Sequence, residues 1–238
     1  MLYAIADLHL PSTLGKTMDR FGSAWENHPE KVRKNWLDRV GPEDSVLVCG
    51  DISWAMKIEE ARPDLEFLAG LPGTKYLIRG NHDFWWRRST TRSIQQSLPP
   101  HIVLIQGEGR VVEGVAIGGT RGWQVEDRIP QPHDEKILRR ELGYLRQAFA
   151  ELPESPRVAM LHYPPYNPDL QLNEFGRLLL ELKVELTVFG HLHVGNPNVL
   201  AGPVESLELQ LVAADRVDFC PQPLRLAPRT SYPGPVFR

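Results

Sequence analysis

The stretch KYLIRGNHDFWW, residues 75–86, decides how this chain is read. Its first five residues form a mainly apolar run of the length of a buried strand. The run stops at Gly80, and an amide, an imidazole and a carboxylate follow at once as Asn81, His82 and Asp83. Taken alone, such a triplet can be an ordinary Asx turn. The same event recurs, however. LYAIA runs into Asp7 and His9, SVLVC into Gly50 and Asp51, RVAML into His162, and LTVF into Gly190, His191 and His193.

Between these runs lie helical patterns at 29–40, 57–70, 134–152 and 172–182. In the first, Val32, Trp36, Leu37 and Val40 share a face, and Pro29 suits a first turn. Strands alternating with helices of this length give a largely parallel, layered α/β fold. HIVLIQ (101–106), RVVEGVAIGG (110–119) and VESLELQLVAADRVDFC (204–220) read instead as strands joined by short turns, an antiparallel part. The chain, 1–238, reads as one domain, with the proline-rich 226–238 as a loose C-terminal tail.

Composition bounds the function. With 42% hydrophobic and 24% charged residues the chain is that of a soluble globular protein. A net charge of −3 argues against a sequence-independent coat on nucleic acid, but not against a local anion site built on metal ions. Cys49 and Cys220 fit no zinc or redox spacing. The opening MLYAIADLHL lacks a basic leader, and no apolar run approaches the roughly 18 residues of a membrane span. A cytoplasmic protein with no membrane association and no obligate protein partner is expected.

The crevice beyond the carboxyl ends of parallel strands is where such sheets bind ligands. Five of the eight histidines fall there. In D-x-H and H-x-H, residues two apart on extended chain point the same way, so one spot receives both side chains. Any one of these histidines is ordinarily structural; clusters at five strand ends are not coincidence. Asp7, His9, Asp51, Asn81, His162, His191 and His193 offer two carboxylates, an amide oxygen and four imidazoles. That donor set suits borderline divalent metals, manganese ahead of iron or zinc. Seven ligands exceed one such ion and suit two that share a carboxylate, an arrangement that clamps a phosphoryl displacement.

In order and spacing, DLH, Gly50-Asp51, GNHD, His162 and GHLH resemble the motifs of the calcineurin-like metallophosphoesterases over residues 7–193. GDISWA, RGNHDFWW and GTRGW are further similar to a bacterial subgroup of phosphohydrolases. The resemblance implies a four-layer αββα sandwich of two mixed sheets flanked by helices, with the metal site at the C-terminal ends of the strands. It implies that Asp7, His9 and His193 hold one ion, that Asn81, His162 and His191 hold the other, and that Asp51 bridges. His82 would protonate or stabilise the leaving oxygen, oriented by Asp83. The reaction implied is in-line attack by a metal-activated hydroxide, without a covalent enzyme intermediate. Trp54 stands where purple acid phosphatases carry a tyrosine, which argues against a tyrosinate–iron(III) centre.

Around this set, Arg121 in GGTRGW is the expected phosphate contact and Trp123 the expected stacking partner of a substrate ring. Five of six tryptophans lie near the site loops, most of them to pin those loops down. The stretch 11–27, without periodicity, reads as a loop that narrows the entrance. The expected substrate is a phosphodiester, a nucleotide or nucleic-acid end. The alternatives are a phosphomonoesterase acting on a small molecule or phosphoprotein and, in another class, a non-catalytic metal-binding module of the same fold. Gly15-Lys16-Thr17 is not a P-loop, because Leu10 stands where its first glycine belongs.

Overall fold

The structure, a computed structural model, describes residues 1–11, 18–124, 132–153 and 155–226. In chain order the strands are β1 (Leu2–Ile5), β2 (Ser45–Cys49), β3 (Thr74–Ile78), β4 (Ile102–Leu104), β5 (Arg110–Val112), β6 (Val115–Thr120), β7 (Arg157–Leu161), β8 (Leu186–Phe189), β9 (Gly202–Val204), β10 (Leu207–Leu211) and β11 (Gln222–Pro223). The helices are α1 (His28–Leu37), α2 (Ile58–Ala69), α3 (Thr91–Ser97), α4 (Pro132–Ala150) and α5 (Glu174–Glu181). One sheet runs β11-β1-β2-β3-β4 and the other β5-β6-β7-β8-β10-β9. Pairing is parallel except where β11 meets β1, β5 meets β6 and β9 meets β10. Both sheets are therefore mixed.

Alternation along the strands builds the layers. In β2, Leu47 and Cys49 join Ala4 and Ile78 in packing against Ile117, Val158, Met160, Leu186 and Val188 of the other sheet. Val46 and Val48 turn the other way, under Val32 and Trp36 of α1, Leu65 and Leu68 of α2 and Ile94 of α3. In β7, Ala159 and Leu161 face outward to Leu145 and Phe149 of α4 and to Phe175, Leu178 and Leu179 of α5. Each sheet thus buries both faces, which is why its strands read as continuous apolar runs. The result is helix, sheet, sheet, helix, the expected αββα sandwich.

Local signals explain the element ends. Asn173 caps α5, its Oδ1 accepting from Phe175 N at 2.9 Å and Gly176 N at 3.2 Å. The Glu60 carboxylate turns back to accept from Met56 N and Lys57 N at the start of α2. Glu113 and Gly114, both at positive φ (49° and 78°), make the two-residue turn from β5 to β6.

Three sequence expectations are corrected. HIVLIQ is not part of an antiparallel section: β4 pairs parallel with β3. Only β9 and β10 of the C-terminal stretch are strands, and Ala214–Arg216 is a 3-10 turn. Helix α1 ends at Leu37, which is 52% exposed and so does not share the buried face of Val32 and Trp36. Within 11–27 the described part holds two 3-10 turns, Asp19–Phe21 and Ser23–Trp25. Residues 12–17, and the tail expected at 226–238 apart from Leu226, lie outside the described residues. Among the described residues, no helix is long and apolar enough to cross a membrane.

Candidate metal centre

Strands β1, β2, β3, β7 and β8 all release their chains at one end of the sandwich. The loops leaving them are laced together there by backbone bonds: Asp7 N donates to Gly50 O and His9 N to Asp51 O, both at 2.9 Å, and Gly190 N to His162 O at 3.2 Å. Four candidate ligands, Asp7, His9, Asp51 and His191, have left-handed φ of 58°, 45°, 52° and 70°. Such angles are uncommon outside glycine, although Asp and His adopt them more readily than most, and clusters of them occur typically at functional sites. The motif glycines explain how the loops come so close. A Cβ on Gly80 would overlap the Asp51 carboxylate, and one on Gly190 would overlap Asp7 Oδ2.

All seven candidate ligands converge. His9 Nε2 lies 3.4 Å from His193 Nε2, and Asp7 Oδ1 lies 4.0 Å from His193 Nε2. Asn81 Oδ1 lies 2.6 Å from His162 Nε2 and 3.2 Å from His191 Nδ1. Asp51 sits between these two groups. Its Oδ2 is 3.7 Å from His9 Nε2, and its Oδ1 is 3.5 Å from His162 Nε2. Asp7, His9 and His193 form one set with metal-ligand spacing; Asp7, Asp51 and His162 form another.

The residues fit a metal on their own chemistry. Asp7 Oδ1 is buried and has no hydrogen-bond partner among the described residues. His162 faces two acceptors, Cys49 O at 3.0 Å from Nδ1 and Asn81 Oδ1 at Nε2. A neutral ring has one N–H and satisfies only one of them. Burial holds the ring neutral, with a pKa pushed down to about 3. A cation that accepts electron pairs from both Nε2 and the amide oxygen resolves the conflict. His191 is likewise pushed down to about 3 by burial, and His9 well below its usual range. Burial raises the Asp51 carboxyl to about 6 and carries Asp7 well above the usual carboxylate range. Unpaired, these carboxylates are poorly placed in the interior; with divalent cations they are not.

His82 stands at the rim. Its backbone N donates to Asp51 Oδ1 at 2.8 Å, and its ring, 4.5 Å from the Trp54 ring, approaches Asp51 Oδ2 no closer than 4.0 Å. Asp83 differs from expectation, because none of its hydrogen bonds goes to His82. Its Oδ1 accepts from Ile52 N, Ser53 N and Trp85 Nε1, and its Oδ2 from Gly80 N. It straps the loop after β3 onto the loop after β2. Arg121 is only 8% exposed; its carbonyl accepts from His162 N and Tyr163 N, and its guanidinium lies 4.7 Å over Trp123. Trp123 reaches the cluster through Tyr163, whose ring is 4.4 Å from that of His191.

One participant escaped the sequence reading. Asp215 Oδ1 meets His193 Nδ1 at 3.1 Å, and its Oδ2 accepts from Val194 N at 2.8 Å. Burial alone would lower the His193 pKa; Asp215 and Asp7 outweigh it and raise the value. Asp215 directs Nδ1–H outward and leaves Nε2 facing the cluster, the usual task of a carboxylate behind a ligand histidine. Nothing in AADRV marks it, since no motif surrounds it.

A layered α/β sandwich thus gathers carboxylate, amide and imidazole donors at its strand ends, a site of metal-binding chemistry. The chain belongs to the calcineurin-like phosphoesterase family, whose model matches residues 2–195. Two solved structures share the fold. A phosphopantetheinyl hydrolase from Mycobacterium tuberculosis is 16% identical, covers 96% of this chain and 98% of its own, and gives a TM-score of 0.59. A protein of unknown function from Aquifex aeolicus is also 16% identical, covers 93% and 94%, and gives 0.50. No curated protein matches the chain.

Proposed function

We propose that the chain is a dinuclear enzyme hydrolysing a phosphodiester, with nucleotide or nucleic-acid ends as the favoured substrates. The observation that carries the two-metal reading is Asp51, whose two oxygens face different ligand groups. Asp7, His9 and His193 would hold one ion, Asn81, His162 and His191 the other, and Asp51 both. Manganese is the metal we favour, ahead of iron or zinc, because the set mixes imidazole with oxygen donors. Bound there, two such ions supply Lewis acidity towards the phosphoryl oxygens and a nucleophile at neutral pH.

The chain's own groups do the rest. The His82 ring, at the rim and without a hydrogen bond among the described residues, is free to deliver a proton to the departing oxygen. Asp83 holds the loop that presents it. Arg121, beside His162, adds positive charge for the phosphate. Two recesses open off different histidines, one at His9 and His193 and one at His191. A diester, with an organic group on each side of phosphorus, has use for both. The buried, unpaired thiols Cys49 and Cys220 support a reducing cytoplasmic location. Ligands drawn from both sheets support a single domain.

The test pairs metal analysis with turnover. Manganese-loaded protein is assayed on p-nitrophenyl phosphate, its bis-ester, cyclic nucleotides and single-stranded DNA, beside Asp51→Asn. Two ions per chain in the wild type, lost with activity in Asp51→Asn, are expected. One ion with full activity overturns the dinuclear reading, and faster monoester than diester hydrolysis overturns the substrate class.

A further inference from the structure

The recess at His9 and His193 has an unusual lining for a site that handles anions. Its volume is about 330 Å³, at the small end of ligand sites. Its walls are Met18, Phe21, Trp25, Trp54 and Val194, and its remaining lining includes Asp215. The Asp215 carboxylate and the Trp54 indole N–H in this lining are already engaged. Both Asp215 oxygens are hydrogen-bonded, and Trp54 Nε1 is directed at Met18 Sδ, 3.2 Å away. The rest of the lining is chiefly aromatic and aliphatic.

What remains is aromatic and shaped. Trp54 stacks on the His9 ring at 4.9 Å and 23°, whereas Trp25 meets the same ring edge-on at 5.9 Å and 65°. The two indoles are therefore not parallel; Trp25 is 4% exposed and also packs on His28, His193 and Phe219, so the ring surface left to a ligand comes mainly from Trp54 and Phe21. At the mouth, Phe21 and Val194 are 56% and 67% exposed, large apolar groups left in water beside a hydrolytic centre. The recess at His191 contrasts with this. It is about 110 Å³ and is lined by Gln124, Asn167, Asn196 and Asn198 among others.

We propose that the recess of Phe21, Trp25 and Trp54 binds the flat, uncharged end of the phosphoester, an aryl or base group of one or two rings, while the amide-lined recess takes the polar arm. This rests on the phosphoesterase reading and narrows it. It also moves substrate stacking from Trp123, which Tyr163 separates from the candidate ligands, to tryptophans that touch them.

The test uses probes that cannot be turned over. Binding of 2-naphthylmethylphosphonate and methylphosphonate to the metal-loaded protein is measured by calorimetry for wild type, Phe21→Ser and Val194→Ser, with metal content checked in each. The naphthyl probe should bind at least roughly tenfold tighter to wild type, and each variant should erode that advantage several-fold at unchanged metal content. Equal affinities of the two probes, or an advantage that survives both substitutions, overturn the proposal. Turnover is scored separately. An advantage that the variants remove, in a protein that hydrolyses no phosphoester, keeps the recess and overturns the phosphoesterase reading. Turnover without an advantage does the reverse.

Discussion

Burial raises the Asp51 carboxyl to about 6, and both of its oxygens point into the cluster. To hold a cation the group must shed its proton, so protons and metal compete in the range where the group titrates. Metal affinity should rise with pH through the range where Asp51, Asp7 and His193, all of them raised, give up their protons, and should fall about tenfold or more per unit below about 6. His162 and His191, at about 3, do not compete in this range. Titration of manganese into chelator-treated protein at pH 5, 6, 7 and 8 reads this directly; equal affinities at 5 and 6 would contradict it. His82 tests differently. Its ring makes no hydrogen bond among the described residues, so His82→Ala should keep metal content and Tm while turnover falls roughly 10²–10⁴-fold. The loss should shrink for p-nitrophenolate, a leaving group that hardly needs a proton. Loss of metal in that variant would reassign His82 as a ligand. At this scale the ligand candidates were legible because they stand at the ends of apolar runs in repeated patterns. Asp215 was not, because a carboxylate that acts through another side chain carries no pattern of its own.

At the scale of elements, the loop after β3 is held to the loop after β2 by one side chain. Asp83→Ala would leave Gly80 N, Ile52 N, Ser53 N and the Trp85 indole without their acceptor. A buried donor left unmet costs about 1–3 kcal/mol, and the four losses overlap. The variant should therefore lose at least about 2 kcal/mol of stability in urea denaturation and, with Asn81 and Asp51 displaced, much of its metal affinity. Unchanged stability with reduced turnover would instead support an orienting role towards His82. Adjacency in the motif made that orienting role the natural reading; the fold turns Asp83 away from its neighbour and into the loop core. The tryptophans show the same limit. Trp36 and Trp86 are fully buried and Trp85 is tied to Asp83, whereas Trp25 and Trp54 flank His9. Sequence position near a motif does not separate these fates. Strand direction was also beyond it: HIVLIQ looks the same whether it returns by a turn or, as here, by α3 to pair parallel with β3.

Taken as a whole molecule, the cluster is the place where the two sheets meet chemically. Asp7, Asp51 and Asn81 follow β1, β2 and β3 of one sheet; His162, His191 and His193 follow β7 and β8 of the other. Bound cations would therefore couple the two halves. Free metal at 100 times its dissociation constant adds about 2.7 kcal/mol to the folded state. Chelator treatment should lower Tm, and added manganese should restore it in wild type but not in Asp51→Asn. A Tm indifferent to metal would mean that the ions bind outside this cluster. The layered architecture itself was legible from strands alternating with helices and from the motifs at their ends. The same division of ligands has a consequence during synthesis. Asp7 leaves the ribosome early, but His191, His193 and the supporting Asp215 emerge roughly 200 residues later, on the order of 10–40 s at ordinary elongation rates. Until then the donor groups of the first sheet would lack their partners from the second, so the proposed centre would stay incomplete while the intervening chain is made.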